Sequence, residues 1–135
     1  MNYTTRDVVD DYTAAVSDGN FERLAQLVHP DATFDGTVSA DARGVDAFVQ
    51  GFRNLRPITV RTDVHHTIVD GEGAAVMYDL VTDTDAGSVL CSEFLTIQDG
   101  MVTSSTLIFD WRQWPMVIDE IRSRASRAGL ETLSE

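Results

Sequence analysis

MVTSSTLIFDWRQW, residues 101–114, is the stretch that decides how this chain is read. Side chains alternate along a β-strand, so Ser104, Thr106, Ile108 and Asp110 share one face and Leu107 and Phe109 the other. The strand ends at Asp110, and Trp114-Pro115 turns the chain into a helix, with Pro115 at the first helical position. An acid at the end of an otherwise apolar strand is either a turn residue or a group aimed into a cavity, and the functional reading depends on which.

Upstream of this stretch the apolar residues recur every second position from Ile58 onward. Runs at 58–69, 74–82, 88–98 and 101–110 read as strands, broken by Asp70-Gly71-Glu72-Gly73, by residues 83–87 and by Asp99-Gly100. Aspartate and glycine at such breaks are hairpin turn residues, so the four strands form an antiparallel meander. The N-terminal third has helical spacing instead. Thr4 or Thr5 caps a helix carrying Val8, Val9, Tyr12, Ala15 and Val16, which Ser17-Asp18-Gly19 ends. Asn20 caps a second helix with Phe21, Leu24, Leu27 and Val28 on its apolar face, stopped at His29-Pro30-Asp31. A short strand over 32–38, a loop over 39–44 and a third helix over 45–55 follow. The last helix carries Val117, Ile118, Ile121 and Ala125, with Gly129 as its expected end and a frayed tail beyond. The expected architecture is a single α+β domain over residues 1–135, in the order α-α-β-α-β-β-β-β-α, with an antiparallel sheet against helices. Apolar residues on both faces of the strands suggest that the outer face is also covered, most simply in a homodimer.

Composition narrows the function classes. The formal net charge is −12 and all 10 basic residues are arginines, scattered along the chain. Such an acidic surface argues against nucleic acid and against an anionic membrane as partner, and the missing lysine excludes Schiff-base chemistry. No apolar run reaches the roughly 20 residues of a membrane span, and the polar N-terminus has no signal-peptide core, so a cytoplasmic location is expected. Cys91 alone cannot form an internal disulfide and reads as a buried thiol. His29, His65 and His66 with one cysteine match no zinc spacing, and neither metal nor cofactor is expected.

Several acids interrupt apolar rows. If Asp110 faces a cavity, the odd-numbered residues of 74–82, including Asp79, are expected to face it too, together with Glu93 in the row Val89, Cys91, Leu95, Ile97. Tyr12 is the polar tip on the first helix. Carboxylates and a phenol converging in an apolar pocket cannot all ionise at neutral pH, which leaves a proton donor beside an acceptor, the requirement for acid/base catalysis. Plainer roles stand beside this one: Tyr12 as a core tyrosine, Glu93 paired with Arg61, Asp79 or Asp110 as caps. Phe34, Phe48, Phe52, Met77 and Ile108 are the expected pocket lining.

The phrases VSDGNFERLAQLVHPDATFDG, RGVDAFVQGF, SEFLTIQDGMV and LIFDWRQW, in this order and spacing over nearly the whole chain, resemble the nuclear transport factor two-like superfamily. The most similar branch is the SnoaL-like polyketide cyclases, with ketosteroid isomerases and limonene-type epoxide hydrolases as relatives. The resemblance implies a cone-shaped half-barrel, a curved sheet wrapped around N-terminal helices, with a deep apolar pocket and often a dimer. It places Tyr12 and Glu93 at the isomerase's oxyanion-binding tyrosine and acid, with Gly36 where the isomerase has its base. It places Asp79 and Asp110 at the acid pair of the epoxide hydrolases, with Met77 where their arginine stands, and Asp110 at the cyclases' acid/base residue. The expected function is therefore a cofactor-independent acid/base enzyme (isomerase, cyclase or epoxide-opening) acting on a small apolar oxygenated molecule. The alternative is a non-catalytic dimeric binding protein of the same fold.

Overall fold

The computed structural model describes residues 3–36 and 42–133. The chain opens with helix α1 (Thr5–Asp18), whose first turn is closed by a reciprocal pair: the Thr4 hydroxyl accepts from Asp7 N–H and the Asp7 carboxylate from Thr4 N–H. Gly19 ends it in the left-handed conformation at φ 67°. Asn20 then caps α2 (Phe21–Leu27). Strand β1 (Val28–Gly36) begins as α2 ends, four residues earlier than the periodicity suggested, and the register slips between Val28 and Thr33, around Pro30. Pro30 has no N–H to contribute to a ladder, so the segment reads as a stop in sequence although the chain is already extended. Residues 37–41, which hold the end of the expected first strand and much of the loop after it, lie outside the described residues. A two-residue β2 (Ala42–Arg43) and α3 (Val45–Arg53) follow, then a single 3-10 turn (Arg56–Ile58).

The meander forms as expected: β3 (Thr59–Asp70), β4 (Gly73–Thr82), β5 (Ser88–Gln98) and β6 (Met101–Phe109). The β5–β6 hairpin turns on Asp99 and Gly100, both at positive φ (53° and 77°), as a two-residue turn of right-twisting strands requires. The sheet order is β2-β1-β6-β5-β4-β3, curved and open. All pairs are antiparallel except β1 with β6, which is parallel, so the sheet is mixed. Helix α4 (Trp114–Leu133) runs through Gly129 and past the end assigned to it from sequence. Among the described residues no helix is long and apolar enough to cross a membrane.

One face of the sheet is covered by the helices. Val8, Val9, Tyr12 and Ala15 of α1, Leu24 and Leu27 of α2 and Phe48, Val49 and Phe52 of α3 are buried against Val76, Tyr78 and Leu80 of β4, Val89, Cys91, Leu95 and Ile97 of β5 and Val102 of β6. The choice of face on β4 corrects the sequence reading. The buried row is Ala74, Val76, Tyr78, Leu80 and Thr82, and the row with Met77 and Asp79 faces away. The buried row carries no charge, and burying Asp79 without partners would cost several kcal/mol. On β6 a register shift between Thr96 and Ile97 puts Val102 inward and then Ser105, Leu107 and Phe109, so that Thr106, Ile108 and Asp110 fall on the outer side.

Strands β1 and β6 approach closely at Gly36, where an added Cβ would lie 2.4 Å from the Leu107 carbonyl oxygen. Gly36→Ala is expected to destabilise the fold by about 1–3 kcal/mol, read as a lower urea midpoint. An unchanged midpoint would mean that the β1–β6 pairing is looser than described.

Candidate active site

Burying one carboxyl organises the site. Glu93, mid-way along β5, is 2% exposed. Its cross-strand neighbours are Val76 on β4 and Leu107 on β6, neither able to bond it. Its oxygens instead take three hydroxyl donors: Tyr12 from α1, Ser105 Oγ at 2.7 Å from β6, and Tyr78 Oη at 3.2 Å from β4. No buried side-chain polar atom among the described residues is left without a partner. The sequence delivers these hydroxyls through two periods. Tyr12 lies on the apolar stripe of α1 with Val8, Val9 and Ala15, and Tyr78 and Ser105 occupy the inward rows of the strands flanking β5.

Burial raises the Glu93 carboxyl above its ordinary value of 4.5, with the three hydroxyls opposing the shift. Both phenols are pushed well above 10.0, by burial first and by the adjacent Glu93 carboxylate second. The two phenols therefore stay protonated at neutral pH, with their O–H groups directed at the Glu93 carboxyl.

Beside it lies a cavity of about 410 Å³. Tyr78, Leu80, Cys91, Leu107 and Phe109 form its sheet wall, Phe34 and Gly36 its β1 edge, Val16, Phe21, Phe52 and Leu55 its helical side, and Trp114, Ile118 and Ile121 of α4 its cover. Trp114 rests on Phe109 with ring centroids 4.4 Å apart, which seals the end at which α4 begins. Tyr78 belongs both to this wall and to the small void of about 10 Å³ that holds Tyr12 and Glu93, so it is the member of the cluster that reaches the cavity. The Cys91 thiol in the same wall is pushed up to about 12 by burial, which suppresses the nucleophilic thiolate.

The expected residues divide cleanly. Tyr12 and Glu93 meet, and Phe34 and Phe52 line the cavity. Phe48 sits behind the lining as core, edge-on to Phe34 at 5.2 Å and to Tyr12 at 6.2 Å. Met77 (41% exposed) and Ile108 (62%) are on the outer face and do not line this cavity. Asp79 and Asp110 do share a face, flanking Leu90 across three strands, but it is the outer one. Asp79 pairs with His65 Nε2 at 3.0 Å. Asp110 takes a bidentate contact from Arg112 at 2.8 and 2.6 Å, which holds its carboxyl at about 2, so it is a carboxylate and not a proton donor. Arg61 pairs with Asp63 and not with Glu93. The inference that aimed the two aspartates inward took Asp110 as a cavity residue and carried its parity to β4. Tyr78 was overlooked for the same reason. The signal that finds it is that Ala74, Val76, Tyr78 and Leu80 is the uncharged row of β4.

Glu93→Leu would leave three buried hydroxyls without their acceptor and is expected to cost about 1–3 kcal/mol, with Glu93→Gln, which keeps one acceptor oxygen, losing less. The pH dependence has a definite sign. The folded chain holds the Glu93 proton to higher pH than the unfolded chain, so Glu93 lowers stability as pH rises above 4.5 toward its raised folded value. Urea titrations of wild type and Glu93→Gln across this range check it: the downward trend due to Glu93 is present in the first and missing in the second.

Comparison with known proteins fits this geometry. No curated protein matches the sequence. An NTF2-like protein of unknown function from Cytophaga hutchinsonii superposes with a TM-score of 0.72 at 21% identity, over 84% of this chain and 96% of the other. A candidate ketosteroid isomerase from Kribbella flavida gives 0.69 at 21% identity over 78% and 77%. A candidate polyketide cyclase from Sinorhizobium meliloti gives 0.67 at 21% identity over 77% and 98%. Likeness at such identities shows the fold alone. The SnoaL-like domain model matches residues 9–105, which reach from α1 through the Glu93 strand to Ser105, and the chain belongs to the SnoaL-like domain family.

Proposed function

We propose that the chain is a cofactor-independent acid/base enzyme of the isomerase or cyclase type, acting on a small, mostly apolar molecule that carries an oxygen. The observation that carries the reading is Tyr78, whose hydroxyl bonds buried Glu93 and whose side chain forms part of the wall of an apolar cavity. In this role the Tyr78 O–H, which points to Glu93 in the empty site, turns to a carbonyl or hydroxyl oxygen of the substrate, and Tyr78 Oη accepts instead from Glu93 in its protonated form. Negative charge developing on that oxygen is stabilised by a donor held in an apolar site. Glu93, Tyr12 and Ser105 hold the tyrosine in position and share its proton load. The cavity volume of about 410 Å³ suits a molecule of a few fused rings or a short chain. Epoxide opening by an aspartate pair has no support here, since Asp79 and Asp110 lie on the other side of the sheet.

A second reading, a non-catalytic binding protein, is favoured by one observation: among the described residues lining the cavity none is a carboxylate or an imidazole, the usual acceptors of a proton from carbon. A bicyclic β,γ-unsaturated ketone in deuterated water separates the two. As an enzyme, with a water admitted at the cavity mouth taking the α-proton and a proton returned at the γ-carbon, the wild type exchanges α-protons and conjugates the double bond, and Tyr78→Phe slows this on the order of a hundredfold. Shifted resonances showing a bound ketone without exchange would instead make the chain a binder.

For the partner we propose a second copy of this chain against the outer face of the sheet. Ile68, Met77, Leu90, Phe94 and Ile108 are exposed there, with Phe94 at 56% and Ile108 at 62%, and the registers set Met77, Ser92 and Ile108 side by side, next to Ala75, Phe94 and Thr106. Contiguous apolar surface of this kind favours association. In sedimentation, wild type is expected at twice 14.9 kDa and Phe94→Asp/Ile108→Asp at 14.9 kDa. Equal masses would remove the outer face from the account.

A further inference from the structure

The cavity is apolar through its depth, yet two guanidinium groups stand at its exposed rim: Arg56, from the 3-10 turn, and Arg122, from α4. They differ from most of the chain's other arginines. Arg23, Arg61, Arg112, Arg124 and Arg127 each pair with a carboxylate, and Arg53 lies over the Phe21 ring at 4.8 Å. Neither Arg56 nor Arg122 has an acidic partner among the described residues. That is unexpected in a chain with 22 acidic residues and a net charge of −12, where carboxylates outnumber guanidiniums about two to one.

Both are held where they stand. The Arg56 guanidinium lies over Gly19, so close that a Cβ there would be 2.7 Å from its Cζ. That is the C-terminal end of α1, where the helix carbonyls favour a cation. Arg122 is placed by its neighbour on α4. Arg124 donates to the Pro57 carbonyl at 2.7 Å, to Asp83 at 2.8 Å and to Glu120 at 3.0 Å, which pins α4 to the 3-10 turn and the end of β4. The clamp sets Arg122 at the rim that Arg56 also lines, with Ile118 and Ile121 toward the cavity.

From this arrangement we infer that the ligand is amphipathic: an apolar body that fills the cavity and a carboxylate that is met at the rim by Arg56 and Arg122. The inference rests on the cavity being the ligand site and adds the chemical class. A guanidinium matches a carboxylate with two parallel N–H donors. The chain's overall negative field repels anions, so two cations without acid partners at the mouth supply the local reversal that lets one approach. A neutral oxygen would offer them only a single, weaker acceptor and no charge to balance.

Octanoate and octanol share a chain and differ in the head group, and both can be titrated into the labelled protein by amide NMR. Octanoate is expected to bind about fivefold or more tightly than octanol, with the gap narrowing as salt is raised. Arg56→Gln and Arg122→Gln change exposed side chains, so the fold is expected to persist, as circular dichroism would check, and the pair together should abolish the preference while leaving octanol binding unchanged. Equal binding of the two probes to wild type would overturn the carboxylate inference and leave the cavity as a ligand site. A preference that survives both substitutions would overturn it as well, because the anion would then be held elsewhere. If neither probe binds, the cavity reading itself falls and this inference falls with it.

Discussion

A carboxyl buried between apolar strands is the constraint around which this protein is built. Alone, Glu93 in the interior would cost several kcal/mol as an ion and leave unmet oxygens as an acid. The fold meets it with hydroxyls from three elements, Tyr12 from α1, Tyr78 from β4 and Ser105 from β6. That requirement fixes the seating of α1 on the sheet and the register of β4 and β6 against β5, since a one-residue slip would turn a donor to the wrong face. The same three elements border the cavity, so the polar cluster and the apolar pocket are parts of one arrangement.

The pocket is then a consequence of what the strands turn inward. The uncharged row of β4 and the row of β5 that carries Glu93 face the helices, and α4 crosses the open side through Trp114, Ile118 and Ile121. The charged and long apolar side chains left over, Asp79, Asp110, Phe94 and Ile108 among them, fall on the outer face. One face therefore carries the buried Glu93 cluster beside an apolar cavity, and the other carries exposed apolar area beside ion pairs. On the outer face the Arg112 contact holds the Asp110 carboxyl at about 2, and burial pushes the inner carboxyl of Glu93 the other way.

Local signals in the sequence reached far into the fold. The Thr4–Asp7 cap, the Gly19 stop, the Asn20 cap, the strand limits of β5 and the Asp99-Gly100 turn all follow from short-range chemistry, and the element order follows from them. What local signals did not carry was long-range. The parallel pairing of β1 with β6 joins segments some seventy residues apart, and no period in either announces it. Within the site, Tyr12 and Glu93 were legible because each is a polar group in an apolar row. Asp79 and Asp110 broke their rows in the same way, and only the partners across the sheet separate the two cases: Glu93 has hydroxyls from both neighbouring strands, whereas Asp79 and Asp110 have His65 and Arg112 on the surface. Strand parity tells which residues share a face. It does not tell which face is covered, and an inward Asp110 picks the wrong face on both β4 and β6. Tyr78 is hidden by that choice, since a tyrosine in an apolar row looks unremarkable until the row is known to be the inner one.

Glu93 is a buried carboxyl whose pKa burial raises, and it is bonded by Tyr78, a residue of the cavity wall. Protein labelled at the side-chain carboxyl carbon of glutamate gives one titrating resonance per residue, and Glu93→Gln assigns the one that disappears. The account predicts that this resonance titrates with a midpoint above the ordinary 4.5, and that Tyr78→Phe, by removing a donor to the carboxylate, moves it higher still. A midpoint at or below 4.5 would contradict it, placing Glu93 in contact with water or with a cation and removing the proton-holding cluster from the base of the pocket.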